Sequence, residues 1–333
     1  MPETTTIIGG GLTGLSLAIA LRKQGTHVIL HEAGSYPRHR VCGEFISGIA
    51  QSTLEALGIP EVLSDALRHT SVTWFSGDKK TRHHILSEPA LGLSRHLLDD
   101  RLQMIASALG VEIHTKSRIK PEPGKPGTVW SAGRKPTTGK WIGLKAHVRG
   151  IPNGSDLEMH TGNIGYLGLT PVESGWFNVC GLFKIDRSIS AKHKDLLPAY
   201  LRKNGNHRLA ESLAKAEWKP DSFTAVAGFE LGLQKPVPAI LALGDSHSII
   251  PPFTGNGMTM AFQSAETALP HLLSYARGEA PWHATCDQIN NELHRRFRRR
   301  LTSAGIIHPF LFHPAARPLV KLAPLNPILS LVR

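Results

Sequence analysis

At 333 residues the chain is long enough for two domains or one large α/β unit. Its 38 basic and 26 acidic residues leave a net charge of +12, which favours anionic ligands, acidic partners or a membrane surface. Aromatic residues are only 6% and no zinc-finger or RNP-like signature accompanies the charge, so no nucleic-acid partner is expected.

The chain opens with an apolar strand at Thr4–Ile8, a glycine turn, a helix and a second strand ending in an acid. Gly9, Gly11 and Gly14 follow the G-x-G-x-x-G spacing, with Leu12 and Thr13 between the second and third glycines. The first glycine permits a tight turn, the second lets a pyrophosphate approach bare backbone, and the third lets helix and strand pack closely. Apolar residues from Leu15 to Leu21 line one side of the helix, Gly25 ends it, and His27–Leu30 reads as a buried parallel strand. Glu32 then falls about 20 residues beyond the turn, where an acid meets a ribose hydroxyl. This is a dinucleotide-binding start.

A polar loop, AGSYPRHRVCGEFIS, follows, and then a helical pattern through Ile49, Leu54 and Leu57 that stops at Gly58. Strands are predicted at Ser71–Phe75 and near His83–Leu86, and a helix through Leu97, Leu98, Leu102, Ile105, Ala106 and Leu109, capped by Gly110 and feeding strand Val111–His114. Residues 121–140 are rich in Pro, Gly and Lys and read as loop, interrupted by Val129–Gly133. From Trp141 to Phe183 the chain alternates strands with glycine-containing turns, the pattern of an antiparallel sheet. Leu196–Trp218 reads as helix, Ala239–Gly244 as an apolar strand, Met258–Ala268 as an apolar helix and Cys286–Arg300 as a basic helix before a Pro-punctuated apolar tail. The start carries no signal-peptide pattern, and no apolar run approaches the ~20 residues of a spanning helix. Three cysteines, Cys42, Cys180 and Cys286, lie far apart, and eighteen histidines lack H-x-x-x-H clustering. Reduced thiols, no metal site and a cytoplasmic location are expected.

A second motif repeats the opening logic near residue 250. Strand Ile240–Leu243 delivers Gly244 and Asp245, Pro251 and Pro252 follow, and Gly255-Asn256-Gly257 opens the next helix at Met258. Asp245 can accept from sugar or ribityl hydroxyls, the helix start favours negative charge, and the prolines offer a flat ring a rigid wall. Taken alone, this is also how an ordinary capped strand-to-helix turn reads.

With these segments the chain resembles single-Rossmann FAD enzymes of the p-hydroxybenzoate hydroxylase-like fold, and among them the geranylgeranyl-reductase-like monooxygenases and reductases. The residues that carry the resemblance are GGGLTG with Glu32, RHRVCGEFIS at 38–47, LSRHLLDDRL at 93–102 and GDSHSIIPPFTGNGM at 244–258, supported by the sheet-like stretch 165–183. The resemblance implies an α/β fold: a Rossmann-like FAD-binding domain, an inserted antiparallel-sheet substrate domain and C-terminal helices. The FAD domain would take 1–70, 92–140 and 234–283, the substrate domain 71–91 and 141–233, and a tail 284–333. It further implies that Gly9, Gly11, Gly14 and Glu32 hold the ADP half of FAD, with Arg40 and Arg95 supporting it. Asp245 would meet the ribityl and pyrophosphate region, and Gly255, Asn256, Gly257 and Met258 would set N–H groups at the flavin's N1–C2=O edge. One departure stands out: where the family has A-D-G, this chain has Trp130-Ser131-Ala132-Gly133-Arg134, without the aspartate.

The activity implied is an NAD(P)H-using monooxygenase that hydroxylates an aromatic or polyketide-like lipophilic molecule through a flavin hydroperoxide. No second G-x-G-x-x-G is present, so NAD(P)H is expected as a transient donor at the flavin. The alternatives are a reductase of isoprenoid double bonds, in which Cys42 matters more, and a flavin-binding protein without turnover. A halogenase is disfavoured, because W-x-W-x-I-P is absent and Trp176 is the nearest thing to it. Four residues are candidates for chemistry. Cys42 and Glu44 sit in the V-C-G-E loop, and Lys145 and His147 share one face of a strand by period two. The competing readings are a small packed thiol, a solvated loop glutamate and a solvent-facing pair at a sheet edge. The basic run Arg295–Arg300 with the apolar tail behind it reads either as a helix laid over the FAD domain or as a peripheral membrane contact.

Overall fold

The computed structural model describes residues 3–134, 138–152 and 156–312. Two sheets organise them. The first has five parallel strands in the spatial order Leu241–Ala242, Thr128–Trp130, Thr5–Ile8, Val28–His31, Glu112–His114. The helix Leu12–Lys23 bridges Thr5–Ile8 to Val28–His31, and it is buried at every position from Leu12 to Leu21. It can be apolar on every side because the helices Arg95–Ala108 and Gly257–Ala276 pack against it.

The second sheet is larger. Among the described residues its strands run Glu217–Trp218, Trp141–Arg149, Phe177–Lys184, Gly165–Pro171, Leu157–Thr161, Leu67–Ser76, Lys79–Gly92 and Phe45–Ile46. Thr224–Phe229 also pairs with Trp141–Arg149. The expected antiparallel sheet is there, with one exception. Leu67–Ser76 pairs in parallel with Leu157–Thr161, so the sheet is mixed. Leu67–Ser76 also straddles the expected domain division at residue 70.

Several elements differ from expectation for local reasons. The helix predicted over 196–218 is two helices, Leu196–Asn204 and His207–Lys215, because Gly205 turns left-handed at φ 90° between them. The strand expected over 239–244 shrinks to Leu241–Ala242, flanked by Ala239 and Gly244 at φ 58° and 59°. Gly257–Ala276 extends beyond its predicted end and carries Pro270 within it. Trp282–Ile307 likewise outgrows the predicted 286–300; Ile289, Leu293, Phe297 and Ala304 bury one face in the core around the parallel sheet. Most of the apolar tail, 313–333, lies outside the described residues. Among those described, no helix is long and apolar enough to cross a membrane.

Candidate active site

A cleft of about 650 Å³ runs between the two sheets. At one end it meets the opening turn at Gly9, Gly11, Leu12 and Thr13, with Glu32, Arg40 and Arg95. Further along it meets Cys42, Gly244, Asp245, Gly255, Gly257 and Met258. Its far wall is the large sheet. Thr224, Cys180, Gly168 and Met159 lie on one cross-strand row and Val226, Gly143, Leu182 and Tyr166 on the next, all on the cleft face. Residues far apart in the sequence thus share one cavity: the turn at Gly9 and the helix start at Gly257 face the same space.

Each glycine of the turn answers a separate demand. A Cβ on Gly9, at φ 112°, would stand 2.4 Å from the backbone of Ser131. On Gly14 it would stand 2.0 Å from the Gly9 carbonyl, so Gly14 packs helix on strand and does not itself line the cleft. Gly11 differs: the nearest atom to a Cβ there is Arg95 Nη2 at 3.9 Å, and at Gly257 nothing lies within 4 Å. At both helix starts the backbone is bare toward the cleft, as a pyrophosphate and a flavin edge would require. Five arginines (38, 40, 95, 118 and 134) border the cleft against the two acids Glu32 and Asp245. The charge suits an anionic cofactor, and these residues fit FAD.

The arginines are ordered by buried acids. Ser94 caps the helix Arg95–Ala108 by accepting from the Leu97 N–H, and its hydroxyl donates to Glu173. Arg95 then binds Asp99 through Nε and Nη2, at 2.7 and 2.9 Å. Burial works against the charge on Arg95, and Asp99 overcomes it. Arg40 joins Asp99 at 2.7 Å, Glu32 at 3.4 Å and the Gly10 carbonyl at 3.2 Å. Glu32 itself accepts from the Gly10 and Gly34 N–H groups and pairs with Arg38. A ribose hydroxyl at this carboxylate would compete with Arg38, the most exposed of its partners.

Two second-motif expectations shift. Pro252, not Pro251, lines the cleft. Asn256 is fully buried behind the wall, its amide donating to the Thr254 carbonyl while Oδ1 has no partner. The segment standing in for A-D-G also has a clear role. Ser131 donates to the Gly9 carbonyl at 2.8 Å and so buttresses the turn, and Arg134 binds the Val41 carbonyl and covers the Phe229 ring.

The four residues singled out for chemistry converge, although their segments are a hundred residues apart. Glu44, Lys145 and His147 are all buried to 1% exposure or less, so they form neither a solvated loop acid nor a solvent-facing pair. Glu44 Oε1 meets Lys145 Nζ at 3.2 Å and the Arg95 N–H at 3.1 Å, and Oε2 meets His147 Nε2 at 2.5 Å. These bonds hold Glu44 in a left-handed backbone, φ 56°. Burial opposes its charge, but Lys145 and His147 outweigh burial and keep the carboxyl below the usual range. Burial lowers the Lys145 pKa, with Glu44 pulling the other way. None of the three lines the cleft; Cys42 does, as does Cys180 across from it. Burial raises both thiols, so neither is a ready thiolate. A residue that sequence reasoning passed over, His39, does reach the cleft and bonds Lys145 through Nδ1 at 2.9 Å. Its one sequence signal was its place between two arginines inside RHRVCGEFIS.

Comparison with known proteins adds the following. A family model described as pyridine nucleotide-disulphide oxidoreductase matches residues 1–89. The flavin-dependent brominase Bmp2 superposes with a TM-score of 0.77 at 17% identity, covering 99% of this chain and 93% of that one. PqsL, a probable FAD-dependent monooxygenase from Pseudomonas aeruginosa, gives 0.72 at 14% identity, covering 97% of this chain and 100% of its own. A geranylgeranyl bacteriochlorophyll reductase-like protein from Thermoplasma acidophilum gives 0.75 at 19%, covering 99% and 96%. This is the fold of the FAD-dependent oxidoreductases. The likeness to the brominase is one of fold, and the sequence has no W-x-W-x-I-P. Menaquinone reductase of Mycobacterium tuberculosis is 27% identical over 111 residues, and that of Mycolicibacterium smegmatis 26% over 117. Those stretches cover 32% and 34% of this chain but only 27% and 29% of the reductases.

Proposed function

We propose that the protein is an FAD-dependent oxidoreductase, an NAD(P)H-using monooxygenase that hydroxylates a flat, lipophilic aromatic or polyketide-like molecule. The observation that carries this reading is the continuity of the cleft. A bare, arginine-bordered glycine cradle opens directly onto a sheet face of Met159, Tyr166, Gly168, Leu182 and Val226. FAD supplies the redox chemistry when bound, and the chain supplies binding, orientation and a dry wall. Gly11 leaves room for the cofactor's pyrophosphate and Gly257 for its flavin edge, the arginines balance its phosphates, and Gly168 leaves a bare place for a ring on the sheet. NAD(P)H is assigned as a transient donor, because the cradle is the single glycine fingerprint in the sequence.

A reductase is the second reading. Two observations favour it: Cys42 lies on the cleft wall, and the relatives matched by sequence are named menaquinone reductases. Purified protein that is colourless and fails to take up added FAD would remove both readings. For the yellow protein, NAD(P)H oxidation that consumes oxygen with a phenolic probe supports the monooxygenase, and anaerobic reduction of a naphthoquinone or polyprenyl probe supports the reductase.

A lipophilic substrate suits delivery from a membrane surface. On the last long helix, Arg295, Arg299 and the 62% exposed Ile306 fall along one outward stripe, with the 50% exposed Phe310 just beyond. Anionic vesicles should therefore retain the wild type and lose a version carrying Ile306→Glu and Phe310→Glu. Equal flotation of the two proteins would sink the peripheral contact.

A further inference from the structure

The buried charge cluster beside the cleft has one end that reaches the cavity. His39 lines the cleft, and its Nδ1 lies 2.9 Å from Lys145 Nζ. A lysine ammonium has three donors and no acceptor, so Nδ1 must present its lone pair to it. Neutral His39 then carries its hydrogen on Nε2, which has no hydrogen-bond partner among the described residues. Behind Lys145 stands Glu44, and behind Glu44 stands His147, at 3.2 and 2.5 Å. The chain of contacts is continuous from the cavity to a fully dry interior.

We propose that His39 is the proton-transfer residue of the cleft, locked as the Nε2–H tautomer by Lys145, which Glu44 and His147 hold in place. The proposal rests on the oxidoreductase reading for the group that receives or yields the proton. The transfer balances without an outside reagent. His39 Nε2 gives its proton to a basic atom in the cleft while Nδ1 takes one from Lys145 Nζ. The imidazole stays neutral in its other tautomer, and Lys145 becomes a neutral amine beside the Glu44 carboxylate. A water molecule entering the cleft gives a proton to Nε2 and leaves to bulk solvent as hydroxide, the Nδ1 proton returns to Lys145, and the set is restored.

The surroundings favour this direction. Burial, then Lys145, His147 and His96, push the His39 pKa down to about 3, with Glu44 pulling the other way. His39 is therefore neutral at physiological pH and does not store a proton of its own. Lys145, lowered by burial, is a stronger acid than a free lysine and is the group able to refill it. His96 flanks His39 with ring centroids 4.6 Å apart, and His147 meets it edge-on at 4.8 Å. Both are imidazoles, so the carboxylate of Glu44 is the one negative charge among the groups named.

The test has two arms. In the first, histidine is labelled with nitrogen-15 and its ring signals are followed with pH in wild type and in Lys145→Met. His39 should show an unprotonated Nδ1 and a protonated Nε2 from pH 5 to 8. Loss of Lys145 should raise its pKa and mix its tautomers. A wild-type His39 with hydrogen on Nδ1 overturns the proposal, and needs no variant to fold. In the second arm, flavin-loaded His39→Ala is assayed for NADPH oxidation with menadione or a phenolic probe. General acid–base catalysis is worth about 10²–10⁴-fold, so kcat should fall at least a hundredfold with KM little changed. Added imidazole should restore part of the loss, which a packing role would not allow. A yellow His39→Ala protein that turns over like wild type overturns the proposal alone. A yellow wild type that turns over neither probe overturns it together with the oxidoreductase reading.

Discussion

Two charge clusters stand beside the cleft, one lining it and one behind its wall, and they are built on opposite terms. At the cofactor end, Glu32, Arg38, Arg40, Asp99 and Arg95 combine dry acids with guanidiniums that stay 13–35% exposed. Beside the large sheet, Glu44, Lys145 and His147 are sealed. The first cluster has spare partners and keeps positive charge facing the cavity, as a site for an anion should. The second has matched partners and none to spare. It ties the loop carrying Glu44 to the strand Trp141–Arg149 of the large sheet, and its charges satisfy each other. Exposure therefore separates a cluster that binds from one that positions.

The largest effect should come from breaking the sealed cluster. Lys145→Met leaves Glu44 charged, buried and short of its cation, a situation that costs about 3–5 kcal/mol. Urea unfolding should show that loss, and Glu44→Gln combined with Lys145→Met should recover much of it. A single variant as stable as wild type would mean that water reaches the cluster.

A dry imidazole with no carboxylate isolates the share of burial in that cost. His308 is 5% exposed among Trp141, Tyr166, Phe253 and Phe312, and burial, helped by Lys184, pushes its pKa down to about 4. The unfolded chain, near the ordinary 6.5, binds a proton first as pH falls. Stability is thus whole above pH 6.5 and drains between 6.5 and about 4, by roughly 3 kcal/mol for this residue. His247, also near 4, adds in the same direction. The melting temperature of His308→Leu should fall less over that range than that of wild type.

Gly11→Val probes the binding side without the folding side. Gly11 has ordinary backbone angles, φ −89° and ψ −169°, and a Cβ there meets only Arg95 at 3.9 Å. The variant should keep its melting temperature without cofactor and lose FAD affinity by about a hundredfold, or about 2.7 kcal/mol. Gly14→Val should instead fail to fold, since its Cβ would collide with the Gly9 carbonyl.

The two clusters were also unequally legible in the sequence. Gly9, Gly11, Gly14 and Glu32 lie within one strand–turn–helix–strand unit, where local spacing sets spatial position, and the second motif at Gly244–Met258 has the same local character. The parallel sheet and the two helix starts follow from those stretches. Lys145 and His147 could be placed on one face by period two, but which face was buried depended on the loop carrying Glu44 a hundred residues away. His39 was invisible for the same reason, because its partner is a lysine 106 residues further along the chain. Pro251 and Asn256 stand outside the cleft lining while their neighbours Pro252, Gly255 and Gly257 stand in it, since turn geometry decides which neighbour faces a cavity. Ser131 could not be read as a buttress, because its partner is the backbone of Gly9 and not a side chain.

The smallest expected effect tests whether the open cluster really has partners to spare. Arg40→Met removes a cation that touches Asp99, Glu32 and the Gly10 carbonyl. Asp99 still keeps both bonds to Arg95, and Glu32 keeps the Gly10 and Gly34 N–H groups together with Arg38. No charge is stranded, so stability should change by no more than about 1 kcal/mol, in contrast to Lys145→Met. What is lost is positive charge at the cleft. FAD affinity should drop severalfold at low salt, and the gap between variant and wild type should narrow as ionic strength rises, because a partly exposed charge is screened. A gap that ignores salt would mean that Arg40 acts on the cofactor by direct contact or by shaping the turn, and that this cluster, too, is built for position.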